Sequence, residues 1–188
     1  MGANLVTLQE YKTYAGINST NQDAEISDLV PQVSALVKTY CRRTFVDYYD
    51  EAKTEFFDGG FKNLLLKETP VVQIIAVSRS DNYGQTYQKL TKFTDWVQKE
   101  DQIISLSPQG FPEAVNGYKV DYFAGYETVP ADLKIAVLDT IQYYLKNSSA
   151  VHTTKSVSPN TMQVEYISSS NFPAHIKRVL DLYTADYT

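Results

Sequence analysis

The sequence predicts an α+β protein, a bundle of about four helices with an inserted small, mostly antiparallel β-sheet. Three observations carry this. Apolar residues recur at helical period near the beginning of the chain and again near its end. Between about residues 53 and 124 the pattern changes to short β-branched and aromatic runs. Glycine, asparagine, aspartate and proline separate those runs, as hairpin turns require.

Taken in order, Thr7-Leu8-Gln9-Glu10 has the form of a capping box. The Thr7 hydroxyl can accept from the backbone N–H of Glu10, and the Glu10 carboxylate can reach back. A helix of about two turns follows, to roughly Tyr14, and Gly16 supplies its stop. Asn18-Ser19-Thr20-Asn21 is a loop of residues that bond their own backbone. Asp23 is placed to cap a second helix, with Ile26, Leu29, Val30, Val33, Leu36, Val37 and Tyr40 on one stripe. Pro31 lies inside it, at a cost of about 3 kcal/mol. Either the helix kinks there or it begins later; the stripe keeps phase through Pro31, which favours one kinked helix.

Strand candidates then follow at Thr54–Phe57, Asn63–Lys67, Val71–Arg79, Phe93–Gln98, Ile103–Leu106 and Tyr118–Phe123. Asp58-Gly59-Gly60, Thr69-Pro70 and Ser80–Gly84 are turns between them. Pro130-Ala131-Asp132 opens a third helix with Leu133, Val137, Ile141, Tyr144 and Leu145 on one face. Ile135, Ala136 and Leu138 widen that face, which predicts burial on more than one side. Pro173 opens a last helix with the stripe Ile176, Val179, Leu180, Tyr183 and Tyr187. The intervening residues 147–171 are rich in Ser, Thr and Asn, and only Met162, Val164 and Tyr166 alternate. That piece reads as a hairpin arm or a strand awaiting a partner. The expected organisation is residues 1–146 as one α+β domain with the sheet inserted at about 53–124, 147–171 as a flexible loop or arm, and 172–188 as a terminal helix belonging to or docking on that domain.

Composition narrows the function classes. A chain of 188 residues can bury a real core as one domain. Fifteen tyrosines and eight phenylalanines accompany a single tryptophan, which suits either protein interfaces or the capping of strand edges. The net charge is −5, and no basic cluster exceeds Arg42-Arg43, which argues against sequence-specific nucleic-acid binding. An acidic chain can still line a channel through which DNA slides, because repulsion prevents sticking. Cys41 is the only cysteine, so no intrachain disulfide is possible, which fits a reducing compartment. No run approaches the ~18 apolar residues of a membrane span. The first residues lack a signal-peptide pattern, and Val6 stands where a myristoylation motif wants Ser or Thr.

No catalytic constellation emerges. His152 and His175 are isolated and read as surface residues rather than a joint metal site. Cys41 falls at helical phase with Val37, which reads as a buried structural thiol; exposed beside Arg42 and Arg43, it would instead be acidified. Asp47, Asp50 and Glu51, and Glu100-Asp101, lie in turns without metal-ligand spacing. Gly59-Gly60 lacks the Gly-Lys-Ser/Thr that cradles phosphate. The expectation is a protein that is not an enzyme, with no cofactor and no metal.

Several marks together resemble a known family. They are Leu5-Val6-Thr7-Leu8-Gln9-Glu10 with Tyr14 and Gly16-Ile17; the helix exit Tyr40-Cys41-Arg42-Arg43-Thr44-Phe45; the run Leu64-Leu65-Leu66-Lys67-Glu68-Thr69-Pro70-Val71-Val72-Gln73-Ile74-Ile75-Ala76-Val77; and Tyr122-Phe123-Ala124-Gly125-Tyr126 leading to Pro130-Ala131-Asp132-Leu133-Lys134. Their order and spacing, over about residues 5–146, resemble the head–tail connector (adaptor, or head-completion) proteins of tailed bacteriophages. The resemblance implies a structural virion protein of the neck, made in the host cytoplasm. It implies a ring, commonly of about twelve copies, under the portal protein at the capsid vertex. Such a ring extends the DNA channel and joins the filled head to the tail or the next neck protein. Double-stranded DNA would pass without sequence-specific contact, and no membrane is involved. The terminal helix suits a portal-docking arm through Ile176, Val179, Leu180 and Tyr183, the alternative being that it packs on its own domain. Residues 147–171, with Met162, Val164 and Tyr166, are the candidate assembly loop, expected to be mobile in the free chain and ordered in the ring. Another neck or tail component, of stopper or tail-terminator type and richer in strand, stays open, as does a cytoplasmic binding or enzymatic domain.

Overall fold

A computed structural model describes residues 2–146, 151–155, 162–166 and 172–185, the two middle stretches as backbone. Its contacts divide the chain into two units. One, the helical unit, comprises Asn4–Arg42 and Val129–Thr184; the other, the sheet unit, comprises Met1–Ala3, Arg43–Thr128 and Ala185–Thr188.

In the helical unit, α1 spans Leu8–Ala15 behind the predicted capping box: the Glu10 N–H donates to Thr7 Oγ1 at 3.2 Å and the Thr7 N–H to Glu10 Oε2 at 2.8 Å. Gly16 ends it in the left-handed region at φ 67°. Helix α2, Asp23–Cys41, runs through Pro31 as one element. Asp23 is not its cap; Gln22 precedes the helix without a side-chain bond, and the Asp23 carboxylate instead accepts from Lys12 at 2.7 Å. Ile26, Val30, Val33, Val37 and Cys41 are buried along the stripe. Ser34 joins them, donating to the Val30 carbonyl at 2.7 Å and accepting from the Leu5 N–H at 3.0 Å, so its buried hydroxyl is satisfied.

Helix α3, Ala131–Lys146, buries Leu133, Ala136, Val137, Leu138 and Ile141. Ala136 and Leu138 extend the buried face as expected, but Ile135 points out and is 52% exposed. After α3 in chain order come β8, Val151–Lys155, and β9, Met162–Tyr166, which pair antiparallel from Val151↔Tyr166 to Lys155↔Met162. The alternating segment therefore has a partner strand and forms a hairpin. Helix α4, Ala174–Asp181, packs on α2 and α3.

The sheet unit contains two sheets rather than the single one expected. One has the order β1-β7-β3-β4, from β1 (Lys53–Phe57), β7 (Tyr118–Ala124), β3 (Val71–Arg79) and β4 (Gln88–Lys89). The other has the order β2-β6-β5, from β2 (Asn63–Leu65), β6 (Gln102–Ser105) and β5 (Trp96–Lys99). Every pairing within them is antiparallel. Both sheets turn apolar residues into one core containing Leu64, Val77, Trp96, Ile103, Phe111, Tyr118, Val120 and Tyr122. In β7 the alternation is complete: Tyr118, Val120, Tyr122 and Ala124 are buried and the residues between them are not. The turn after β1 crosses the chain near Pro112 so closely that a Cβ on Gly59 would lie 1.8 Å from the Pro112 carbonyl oxygen, which only glycine allows.

A buried ion cluster sits beside this core. Lys53 Nζ lies 3.0 Å from Glu55 Oε1 and 3.3 Å from Glu68 Oε1. Each carboxylate takes a backbone donor as well: Glu55 from Lys67 N–H at 3.2 Å, Glu68 from Thr44 N–H at 3.0 Å. The Tyr122 hydroxyl accepts from Glu68 N–H at 3.1 Å. Burial alone would lower the Lys53 pKa, but the two carboxylates outweigh it and hold the ammonium above its usual value.

Candidate functional site: interaction surfaces

The structure places the proposed docking stripe of α4 mostly inside its own unit. Ile176 is 1% exposed and Leu180 0%, while Val179 and Tyr183 are half-buried. The Cys41 thiol is buried and donates to the Leu180 carbonyl at 3.6 Å, a structural thiol within the helical unit. Met162, Val164 and Tyr166 pair through their backbones with Lys155, Thr153 and Val151. The rest of the expected assembly loop, 147–150, 156–161 and 167–171, lies outside the described residues.

The residues weighed for chemistry do not converge. His152 is in β8 opposite Glu165, and His175 is exposed at the start of α4, with Nε2 3.9 Å from Asp139. Asp47 accepts from the Ala3 N–H at 2.9 Å, and Asp50 and Glu51 are exposed. Asp101 accepts from Val71 N–H at 3.3 Å. Among the described residues no three His, Cys, Asp or Glu side chains form a group that could hold a metal, and no helix is long and apolar enough to cross a membrane.

The tyrosines resolve into distinct roles that composition alone did not separate. In the helical unit three hydroxyls donate to aspartates on other segments: Tyr14 to Asp139 at 2.5 Å, Tyr40 to Asp181 at 2.5 Å, and Tyr183 to Asp132 at 2.6 Å. These bonds tie α1 to α3, α2 to α4, and the end of α4 back to α3. Lys134 adds a 2.6 Å bond to Glu10, and the Tyr40 ring meets Phe172 edge-on at 5.1 Å. Hydrogen bonding to aspartate favours the neutral phenol, so the pKa values of Tyr14 and Tyr40 are both pushed up to about 12. The bond from Tyr183 holds the Asp132 carboxyl below its ordinary value, and Lys134 does the same for Glu10. In the sheet unit Tyr118 and Tyr122 are core residues, and burial raises both pKa values.

A further group of aromatics is exposed on the sheet unit. Phe56 on β1 and Phe61 after it are 55% and 63% exposed. Tyr83 and Phe93, in the loops before and after β4, are 80% and 75% exposed, and both hold positive φ, 58° and 65°. In the sequence Tyr83 stands in a turn and Phe93 opens a strand candidate, and neither pattern marks the residue as exposed. Two clefts accompany them. One, of about 250 Å³, is lined by Arg79, Leu90, Asp95, Ser105, Phe111 and Tyr118. The other, of about 190 Å³, is lined by Arg43, Leu65, Leu66, Thr69, Glu100 and Asp101 among others.

The sheet unit thus carries exposed aromatic side chains and small clefts of mixed polarity. The chain belongs to the head completion protein family, whose model matches residues 4–185. That family makes it a structural protein and not an enzyme. Solved structures share the fold. A chain from the neck of an empty gene transfer agent (GTA) particle, computed with C6 symmetry, is 12% identical with a TM-score of 0.64, the match covering 98% of this chain and 91% of that one. A chain from the virion of a native GTA particle gives 12% identity and 0.63, with the same coverage. One from a native GTA neck computed with C12 symmetry gives 12% and 0.58, covering 100% and 97%. No curated protein matches the chain.

Proposed function

We propose that this chain completes the head of a tailed, phage-type particle by forming a ring beneath the portal. The ring extends the DNA channel and joins the head to the tail or the next neck protein. The observation that carries this reading is the family match over residues 4–185. The likeness to neck chains of GTA particles described with C6 and C12 symmetry supports it, since closed symmetry is how one subunit type builds a ring. A copy number of about twelve is part of the proposal. The net charge of −5 suits a wall along which DNA slides rather than sticks.

Portal docking by α4 through Ile176, Val179, Leu180 and Tyr183 belongs to this reading in a restricted form. Ile176 and Leu180 reach a partner only if α4 leaves α2 and α3, so the bound helix would exchange one apolar cover for another. The segment 147–171, with Met162, Val164 and Tyr166 on β9, is assigned to contacts within the assembly. The test is a particle preparation from a source lacking this chain. Heads and tails that accumulate separately are expected; intact tailed particles in normal yield would overturn the reading.

A further inference from the structure

We infer that Asn116 is a site of spontaneous chemical modification, where ring closure onto Gly117 converts the asparagine to aspartate and isoaspartate. This chemistry needs a small residue after the asparagine, a side-chain amide free to move, and a main-chain nitrogen free to attack. Asn116-Gly117 is the only Asn-Gly pair in the chain. Asn116 is exposed, and it bonds through its backbone. Its N–H donates to Asp58 Oδ1 at 2.7 Å, and its carbonyl accepts from the Tyr87 hydroxyl at 2.9 Å. Among the described residues nothing bonds its side-chain amide, and nothing accepts from the Gly117 N–H.

Comparable residues elsewhere are held. In the pair Asp58-Gly59, Asp58 Oδ1 accepts from the Asn116 N–H, and the Gly59 N–H donates to the Ala114 carbonyl at 2.8 Å. Asn63 Nδ2 donates to Gln102 Oε1 at 2.8 Å. Asn82 Nδ2 donates to Thr86 Oγ1 at 2.8 Å, its Oδ1 accepts from the Thr86 N–H at 2.9 Å, and the bulky Tyr83 follows it. The turn itself demands Asn-Gly. Asn116 holds φ 47°, a left-handed value that asparagine tolerates better than most residues. A Cβ on Gly117 would lie 2.5 Å from the Ala114 Cβ. The packing that fixes the turn therefore fixes the reactive pair.

In the reaction the Gly117 nitrogen attacks Asn116 Cγ. An N–Cγ bond forms, the Cγ–Nδ2 bond breaks, and Nδ2 leaves as ammonia with the amide proton. Water then opens the cyclic imide. Opening at Cγ leaves aspartate; opening at the main-chain carbonyl leaves isoaspartate, whose backbone runs through Cβ and Cγ. Nothing is oxidised or reduced. Gly117 is buried, so the reaction follows local opening of the turn. Either product adds a negative charge on the residue whose N–H binds Asp58. Isoaspartate also lengthens the main chain and turns the carbonyl that Tyr87 bonds into a free carboxylate. The loop carrying the exposed Tyr83 hangs on this turn, because the Ser80 N–H donates to the Gly117 carbonyl at 2.8 Å. Modification therefore loosens residues 80–87.

The experiment incubates the full chain in mildly alkaline buffer at physiological temperature, for wild type and Asn116→Gly. Peptide mass spectrometry follows the conversion, and hydrogen exchange follows the loop. Asn116→Gly keeps a residue at ease with positive φ and removes the side-chain amide. Expected is conversion of Asn116 several-fold faster than that of Asn63 or Asn82, with isoaspartate among the products. The Ser80 N–H should exchange faster in aged wild type and not in aged Asn116→Gly. An Asn116 that stays intact in the folded chain while converting in the urea-unfolded chain would overturn the inference, because the turn would then protect the pair. Conversion that leaves the Ser80 N–H as protected as before would break the link to the loop.

Discussion

The helical unit and the sheet unit both bury tyrosine, Tyr11 in the first, but differ in what their other tyrosines do. Around the helices, Tyr14, Tyr40 and Tyr183 stand near the surface and donate to Asp139, Asp181 and Asp132. In the sheet unit, Tyr118 and Tyr122 are core residues, and charge is buried beside them as Lys53 with Glu55 and Glu68. The helices are thus cross-tied by water-accessible bonds over a core that includes Tyr11, whereas the sheet unit buries an ionic cluster beside its apolar core. Trp96, the single tryptophan, lies in the sheet-unit core, so its fluorescence reports that unit while ellipticity at helical wavelengths weights the other.

That contrast can be broken at several points. The largest effect is expected from Leu180→Asp, which deletes a fully buried side chain and places a carboxylate in its position; a loss of about 5 kcal/mol is expected. Helical ellipticity should disappear at lower urea; a variant that keeps wild-type stability but loses portal binding would show α4 to be a free docking arm. Next, Lys53→Met leaves two buried carboxylates without their cation, at a cost of about 3–5 kcal/mol. The Trp96 fluorescence transition should move to lower urea, and an unmoved transition would show the cluster to be inert. Smaller is Tyr40→Phe, which removes one bond to Asp181; water competes at this site, so about 1 kcal/mol is expected, seen as a modest fall in the thermal midpoint.

The bonds of the helical unit also set a pH dependence. Tyr14 and Tyr40 have folded pKa values raised from 10 to about 12. A raised value contributes stability that is whole below pH 10 and lost as pH climbs toward 12. Glu10 and Asp132 are lowered from 4.5 and 3.8, so their contributions are present above those values and disappear as pH falls through the folded ones. Alkaline titration of wild type against Tyr14→Phe/Tyr40→Phe should show the wild type losing more stability between pH 10 and 12; parallel curves would remove these bonds from the account.

What could be read in advance follows from the same contrast. The stripes of α2 and α4 and the capping box of α1 were legible because helix period and caps are local. A stripe says which face is apolar and not what covers it, so Ile176 and Leu180 could equally have been a docking surface. The strands were legible one by one, but their division into two sheets depends on non-local pairing, such as β2 with β6. Period two also leaves phase open: Phe56 points out and Glu55 points in, which the Lys53 ammonium and the Lys67 N–H make tolerable. The exposure of Tyr83, in a turn that was legible, and the shapes of the clefts carried no pattern, because side-chain exposure and cavities exist only in three dimensions.

The central claim is that this member of the head completion family assembles as a ring on the portal. The most direct measurement is native mass after mixing the chain with the portal ring of the same source. A complex heavier by about twelve copies is expected. A portal that gains no mass from the wild-type chain would contradict it.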